Sequence, residues 1–177
     1  MEYTYKYESP LGNMTIASDD TAITGLWFDG QSNYAYVLGR HEEKWTPVIE
    51  HAILWLNIYF SGEEPTFTPN IRLKGTDFQK EVWQEVLKVP YGRTIAYYHI
   101  AKKIIERRGT RFLSAQIIGQ AVKRNNIEII VPCHRVVGAD KSLRGFNAGL
   151  QVKKALLELE GHKVIEGDDD YYISYSK

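Results

Sequence analysis

Ile127-Glu128-Ile129-Ile130-Val131-Pro132-Cys133-His134-Arg135-Val136-Val137-Gly138 is the stretch on which the reading of this chain turns. Ile127–Val131 is a β-prone run, and Pro132 ends it, because proline lacks an N–H and fixes its own φ. Cys133 is the single cysteine of 177 residues, so neither an intramolecular disulfide nor a cysteine-rich zinc site can form. A lone cysteine is usually a small buried hydrophobe. Reactivity requires a thiolate, which needs a base or a positive charge close by. His134 and Arg135 are candidates for lowering the Cys133 pKa. Neighbours on a regular strand point to opposite faces. Cys133 and His134 therefore cooperate only where the backbone leaves the strand, which Pro132 permits, or through a water. The plain alternative is a buried cysteine beside a surface histidine.

Downstream, a helix is expected from about Gly149 to Glu160, closed by Gly161, with Leu150, Leu157 and Ala155 inward. Glu160 is a misfit there. A carboxylate at a helix C-terminus opposes the dipole at about 0.3–1 kcal/mol when exposed. An imidazole partner would account for it, and Cys133, His134 and Glu160 then follow the logic of nucleophile, base and orienting acid.

Upstream, Thr76-Asp77-Phe78-Gln79 fits a capping box, and Phe78, Val82, Val86 and Leu87 continue at helical spacing to Pro90. A helix over about Tyr98–Arg108 ends at Gly109, and another starts near Ser114 and stops before Asn125-Asn126. Two short helices joined by a glycine-containing turn suggest a helix-turn-helix. Ala115 and Gly119 share one face of the second helix, leaving it little bulk. Lys123 and Arg124 at its end suit the dipole and could meet phosphates. Close packing of two helices is the other use of such a face.

Further out, Tyr3–Tyr7, Met14–Ser18 and Ile23–Phe28 read as strands, followed by a helix over about Val48–Phe60. Gly62, Pro65 and Pro69-Asn70 break the chain. Residues 1–70 carry 3 Lys/Arg against 10 Asp/Glu, while residues 71–165 carry 18 against 8. The domain border is placed where the charge changes sign, giving domains 1–70 and 71–177. Segregation of this kind is a prior for nucleic-acid binding, although two differently charged surfaces can simply share a chain. Residues 166–177, with Asp168-Asp169-Asp170 and Tyr171-Tyr172, read as a solvated acidic tail. No apolar run approaches the roughly 20 residues that span a bilayer. Met1–Lys6 lacks the apolar core of a signal peptide. The expected location is the cytoplasm, or the nucleus where the source has one.

Pro132-Cys133-His134-Arg135-Val136 resembles the active-site motif of the O6-alkylguanine-DNA alkyltransferases, also called methylated-DNA–protein-cysteine methyltransferases. Tyr91-Gly92, Ile95-Ala96-Tyr97, Asn125, Gly145, Ala148-Gly149 and Leu156–His162 resemble that family in order and spacing, as do Ser9–Gly12 and Gly25–Phe28 less specifically. The resemblance implies an α/β fold class. It has an amino-terminal ribonuclease-H-like α/β domain and a mainly helical, winged-helix-like carboxy-terminal domain with a helix-turn-helix. It implies double-stranded DNA carrying O6-alkylguanine as partner, met by a monomer in the minor groove, with the nucleotide flipped into a pocket. Ser114, Ala115, Gln116, Gly119, Lys123 and Arg124 are the implied DNA-binding residues.

In that resemblance Cys133 accepts the alkyl group, once per molecule. His134 is its base through water, Glu160 orients His134, Asn125 braces the turn before the site, and Tyr97 donates a hydrogen bond to the departing guanine. O4 of thymine is a second candidate substrate atom. No metal or organic cofactor is implied. Four positions depart from the familiar pattern. Gln116 stands where an arginine often fills the gap left by the flipped base. Phe146 stands for a tyrosine, and Asn147 for a serine whose backbone N–H would serve the guanine O6. Arg144 lies where some relatives have glycine at the pocket mouth, which predicts reduced tolerance of bulky adducts such as benzylguanine. Two other readings are a lesion sensor that binds without transfer, against which Cys133 argues, and a Cys-His-Glu hydrolase, which leaves the basic domain unexplained.

Overall fold

The computed structural model describes residues 1–110 and 112–174. The chain divides into two compact units, one of Met1–Lys74 with Asn126–Ile130, the other of Gly75–Asn125 with the chain from Val131 onward. The first unit thus runs past residue 70 and takes in five residues from far along the sequence.

In the first unit β1 (Glu2–Ser9), β2 (Gly12–Ser18), β3 (Ile23–Phe28) and β4 (His41–Glu43) form one sheet in the order β3-β2-β1-β4. The first three make an antiparallel meander, and β4 adds parallel to β1, with Glu2 opposite His41. β4 is three exposed polar residues, so no alternation marks it in the sequence. Every residue of β3 is buried, as it must be where both faces of a sheet are covered. α1 (Pro47–Phe60) starts with Thr46 accepting from the Ile49 N–H at 3.2 Å and proline in its first turn. It packs Ile49, Ala52, Trp55, Leu56 and Tyr59 at helical spacing toward β1, β2 and β3. The Trp27 ring lies over Gly25, where a Cβ would come within 2.0 Å of it.

Asn126–Ile130 docks beside β3. The Leu26 N–H donates to the Asn126 carbonyl at 2.8 Å, and the Glu128 N–H donates to the Leu26 carbonyl at 2.9 Å. The run expected as a strand is therefore one parallel bridge followed by a turn. Ile129 adopts φ 70°, a left-handed conformation unusual for a β-branched residue. It is held there buried, at 1% exposure, and strand pairing stops.

The second unit contains α2 (Asp77–Leu87), β5 (Ile95–Ala96), α3 (Tyr97–Arg108), α4 (Ala115–Lys123), β6 (Val136–Val137), α5 (Leu150–Leu159), β7 (Val164–Glu166) and β8 (Tyr171–Ile173). Thr76 and Gln79 form a reciprocal capping box on α2. The Trp83 indole N–H donates to the Ala121 carbonyl at 2.9 Å and ties α2 to α4. α3 ends on Gly109 at φ 68°, and α4 begins with Ser114 accepting from the Ile117 N–H at 3.1 Å. Ile100, Ile104, Ile118 and Val122 bury the inner faces of this helix pair.

The expected acidic tail is corrected. β7 and β8 pair as an antiparallel hairpin, Val164 opposite Ile173, and residues 164–174 are ordered parts of the unit. Leu150, Val164, Tyr171 and Ile173 pack on a buried cluster of Val137, Leu143 and Leu157. Net charge concealed this, because the aspartates lie at the turn while the apolar residues lie in the strands. Residues 175–177 of the expected tail lie outside the described residues. No helix among the described residues is long and apolar enough to cross a membrane.

Candidate active site

Cys133, His134 and Arg135 form one turn of 3-10 helix. The Arg135 N–H donates to the Pro132 carbonyl at 2.9 Å and the Val136 N–H to the Cys133 carbonyl, which winds the turn, while the Cys133 N–H donates to the Val131 carbonyl at 2.8 Å just ahead of it. The Asn125 amide donates to the same Val131 carbonyl at 2.9 Å and clamps the chain entering the turn. Successive side chains in such a turn do not alternate as on a strand, so the cysteine and histidine need not face opposite ways. Cys133 is 2% exposed and His134 is 0% exposed.

His134 Nε2 lies 2.5 Å from Glu160 Oε2. The Arg135 Nε–H donates to Glu160 Oε1 at 2.8 Å, and the Gly92 N–H donates to the same oxygen at 3.2 Å. Arg135 also donates to the Val89 carbonyl at 2.8 Å. Arg135 thus serves the carboxylate, a use its position beside Cys133 in the sequence does not suggest. Burial works to raise the Glu160 pKa, but the hydrogen bonds from His134 and Arg135 outweigh it and hold the carboxyl well below the usual carboxylate range. Burial pushes His134 down from its ordinary value, against the pull of the Glu160 hydrogen bond. The pair is therefore a carboxylate and a neutral imidazole. The carboxylate accepts the Nε2 proton, so Nδ1 carries the lone pair that can take a proton.

β5 and β6 pair in parallel, Ile95 with Val136 and Ala96 with Val137. That register sets Tyr97, the next residue after β5, beside the strand that leaves the cysteine turn. Burial pushes the Tyr97 phenol up to about 12, and nearby Cys133 adds to this. It stays a hydrogen-bond donor across the neutral range.

An open cavity of about 530 Å³ lies in this unit, bounded by Tyr97, by Ala115, Gln116, Gly119 and Lys123 of α4, and by Gly138, Arg144 and Gly145. The small-residue face of α4 is one wall. A Cβ on Gly119 would stand 3.7 Å from the Tyr97 ring, in ordinary contact. Ser114 caps α4, and Arg124 is the exposed C-cap residue that follows it, outside the lining. Cys133, Phe146 and Asn147 are not part of the lining either. Phe146 is half-buried, its carbonyl accepting from the Gly149 N–H at 2.9 Å, and the Asn147 amide donates to the Lys123 carbonyl.

Lys153 is the residue that the sequence reading missed. At 1% exposure it donates to the Val136 carbonyl at 2.7 Å, the Leu143 carbonyl at 2.5 Å and the Gly145 carbonyl at 3.3 Å. It fastens both the strand after the cysteine and the loop at the cavity's rim. The available signal was its place on the apolar stripe of α5, three residues after Leu150 and four before Leu157.

With this geometry in view, comparisons with known proteins are specific. Residues 1–73 match the family model "6-O-methylguanine DNA methyltransferase, ribonuclease-like domain", and residues 77–162 match "6-O-methylguanine DNA methyltransferase, DNA binding domain". The methylated-DNA–protein-cysteine methyltransferase of Haemophilus influenzae is 39% identical over 160 residues, covering 89% of this chain and 85% of that protein. The constitutive enzyme of that name from Bacillus subtilis is 36% identical, covering 90% and 96%. A solved structure of Mycobacterium tuberculosis OGT in complex with DNA superposes with a TM-score of 0.77 at 36% identity, covering 89% of this chain and 92% of that one. Both domain types occur here in one chain and in matching order, so the chain belongs to the 6-O-methylguanine DNA methyltransferase family.

Proposed function

We propose that this protein repairs alkylated DNA directly, by moving an alkyl group from O6 of guanine to the sulfur of Cys133. The observation that carries this is the cysteine on a 3-10 turn whose next residue, His134, is held neutral and hydrogen-bonded to a buried carboxylate. Nδ1 of His134 takes the thiol proton, through water where the two do not touch. The thiolate displaces guanine at the alkyl carbon: a C–S bond forms as the C–O6 bond breaks. Tyr97 donates to the purine as negative charge develops on it, and the base leaves as guanine after gaining a proton. A thioether is a poor leaving group, so each molecule acts once.

The DNA surface of the proposal is α4. Ser114, Ala115, Gly119, Lys123 and Arg124 meet the duplex, and Gln116 fills the space of the everted base. Asn125 holds the cysteine turn. Phe146, Asn147 and Arg144 lie on the loop that leads to the base, with Arg144 at the mouth. The working location is the cytoplasm, in keeping with the bacterial relatives.

Intact-protein mass spectrometry after mixing with an O6-methylguanine duplex tests this. One methylene mass gained per molecule, and none in Cys133→Ser, is the expected result. Tight binding without a mass change would establish a lesion sensor instead, and turnover of an ester would establish a hydrolase.

A further inference from the structure

We propose that the β7–β8 hairpin is a strap that sets which alkyl groups reach the site, and that Asp170 is the positioning residue through which it acts. This rests on the transfer reading above. The hairpin lies beyond residue 162, where the match to the DNA-binding family model ends. It is tied to the rim loop Lys141–Gly145 by three hydrogen bonds. The Leu143 N–H donates to the Tyr171 carbonyl at 2.9 Å, and the Ile173 N–H to the Lys141 carbonyl at 3.0 Å. Together these two bonds make the antiparallel bridge between Ser142 and Tyr172. The Arg144 N–H donates to the Asp170 carboxylate at 2.9 Å.

The third tie matters most, because Arg144 sits at φ 69°. A non-glycine residue keeps that conformation only where its surroundings over-determine it. Asp170 fixes the N–H of Arg144, while Lys153 grips the carbonyls on either side of it. Asp170 is itself presented by a tight turn, in which the Gly167 N–H donates to the Asp170 carbonyl at 2.8 Å and a Cβ on Gly167 would come within 2.4 Å of the Tyr172 ring. The Arg144 side chain, half-exposed and 3.7 Å from Asp140, borders the cavity. So the aspartate cluster in the hairpin turn does not act by its charge alone. One member locks a strained backbone, and that backbone aims an arginine across the entrance.

The test compares transfer of methyl and of benzyl groups from O6 of guanine in the same duplex, read as mass gained on Cys133 with time. Asp170→Ala frees Arg144 from its left-handed conformation, and the benzyl-to-methyl rate ratio is expected to rise about tenfold. Gly167→Ala, which spoils the turn without touching the cavity, shifts the ratio the same way. Asp170→Asn keeps an acceptor for the N–H and keeps the parental ratio. In Arg144→Gly, which accepts left-handed backbone freely, adding Asp170→Ala changes nothing further. A ratio within about twofold of the parent in both Asp170→Ala and Gly167→Ala overturns the strap, and so does an undiminished Asp170→Ala effect in the Arg144→Gly background. A parent protein that takes up neither group overturns the transfer reading itself, whereas one that takes up methyl while the ratio stays fixed overturns the strap alone.

Discussion

Charges at the back of the site and at its mouth are held in opposite ways. At the back, the side chains of His134 and Glu160 are both 0% exposed, and Arg135 completes the set at 10%. At the mouth, Arg144 and Asp140 are 58% and 56% exposed and 3.7 Å apart. An exposed pair of that kind contributes about 0–1 kcal/mol. A buried set gains little by existing but loses several kcal/mol when one charged member is removed, because its partner's charge is left buried and unpaired. Inside, therefore, charge is used to orient the reacting groups. At the rim the position of the arginine is fixed by backbone hydrogen bonds to Asp170 and Lys153, and its own ion pair is nearly incidental.

Glu160→Gln strikes this contrast hardest. It strips Arg135 of its anion and replaces one of two accepting oxygens, which serve His134 on one side and Arg135 with Gly92 on the other, by an NH2 that can only donate. Methyl transfer should fall about 100-fold or more, and urea unfolding should show a loss of about 3 kcal/mol. A transfer rate within tenfold of the parent would mean that the buried set is structural only.

Acid attacks the same set more gradually. Both His134 and Glu160 are pushed below their ordinary values of 6.5 and 4.5, so in each case the unfolded chain binds protons that the folded chain does not. Stability therefore rises with pH through these windows. The urea midpoint should hold above about pH 6.5, decline below it as unfolded histidine protonates, and drop faster below about 4.5. A flat profile from pH 7 to 4 would remove the buried set from the stability of the unit.

Gln116→Ala acts on the wall between the two regions. Repair of duplex O6-methylguanine should slow about tenfold, with a smaller fall on free benzylguanine, which leaves no gap in a helix. Equal falls on both substrates would exclude the space-filling role. The smallest effect belongs to the rim pair: Asp140→Asn, which keeps the oxygen that accepts from the Ser142 N–H and hydroxyl, should move the unfolding free energy by less than about 1 kcal/mol. A larger loss would mean that the exposed pair positions the arginine after all.

The sequence disclosed the parts of this molecule that local rules govern. The capping box at Thr76, the stop at Gly109, the N-cap at Ser114 and the first three strands are decisions made within a few residues, and they are where the periodicity puts them. Glu160 stood out because it opposed its helix dipole. What stayed hidden depends on partners distant in the chain. Ile127–Val131 looked like an ordinary strand, yet one residue of β3 takes both of its pairing bonds. The hairpin after residue 163 was masked by three aspartates, although Tyr171 and Ile173 supply its packing. Lys153 reads as a surface charge until the three carbonyls that it serves are seen converging from elsewhere.

The interrupted make-up of the first unit bears on how this protein is made. Its first 74 residues leave the ribosome well before Asn126–Ile130, so the flank of β3 beside Leu26 waits uncapped while the intervening helices are synthesised. A nascent chain halted before residue 126 would expose that flank to neighbouring chains. Completing the amino-terminal unit uses residues just ahead of Pro132, so that unit cannot be finished until the chain leading to the nucleophile has been made.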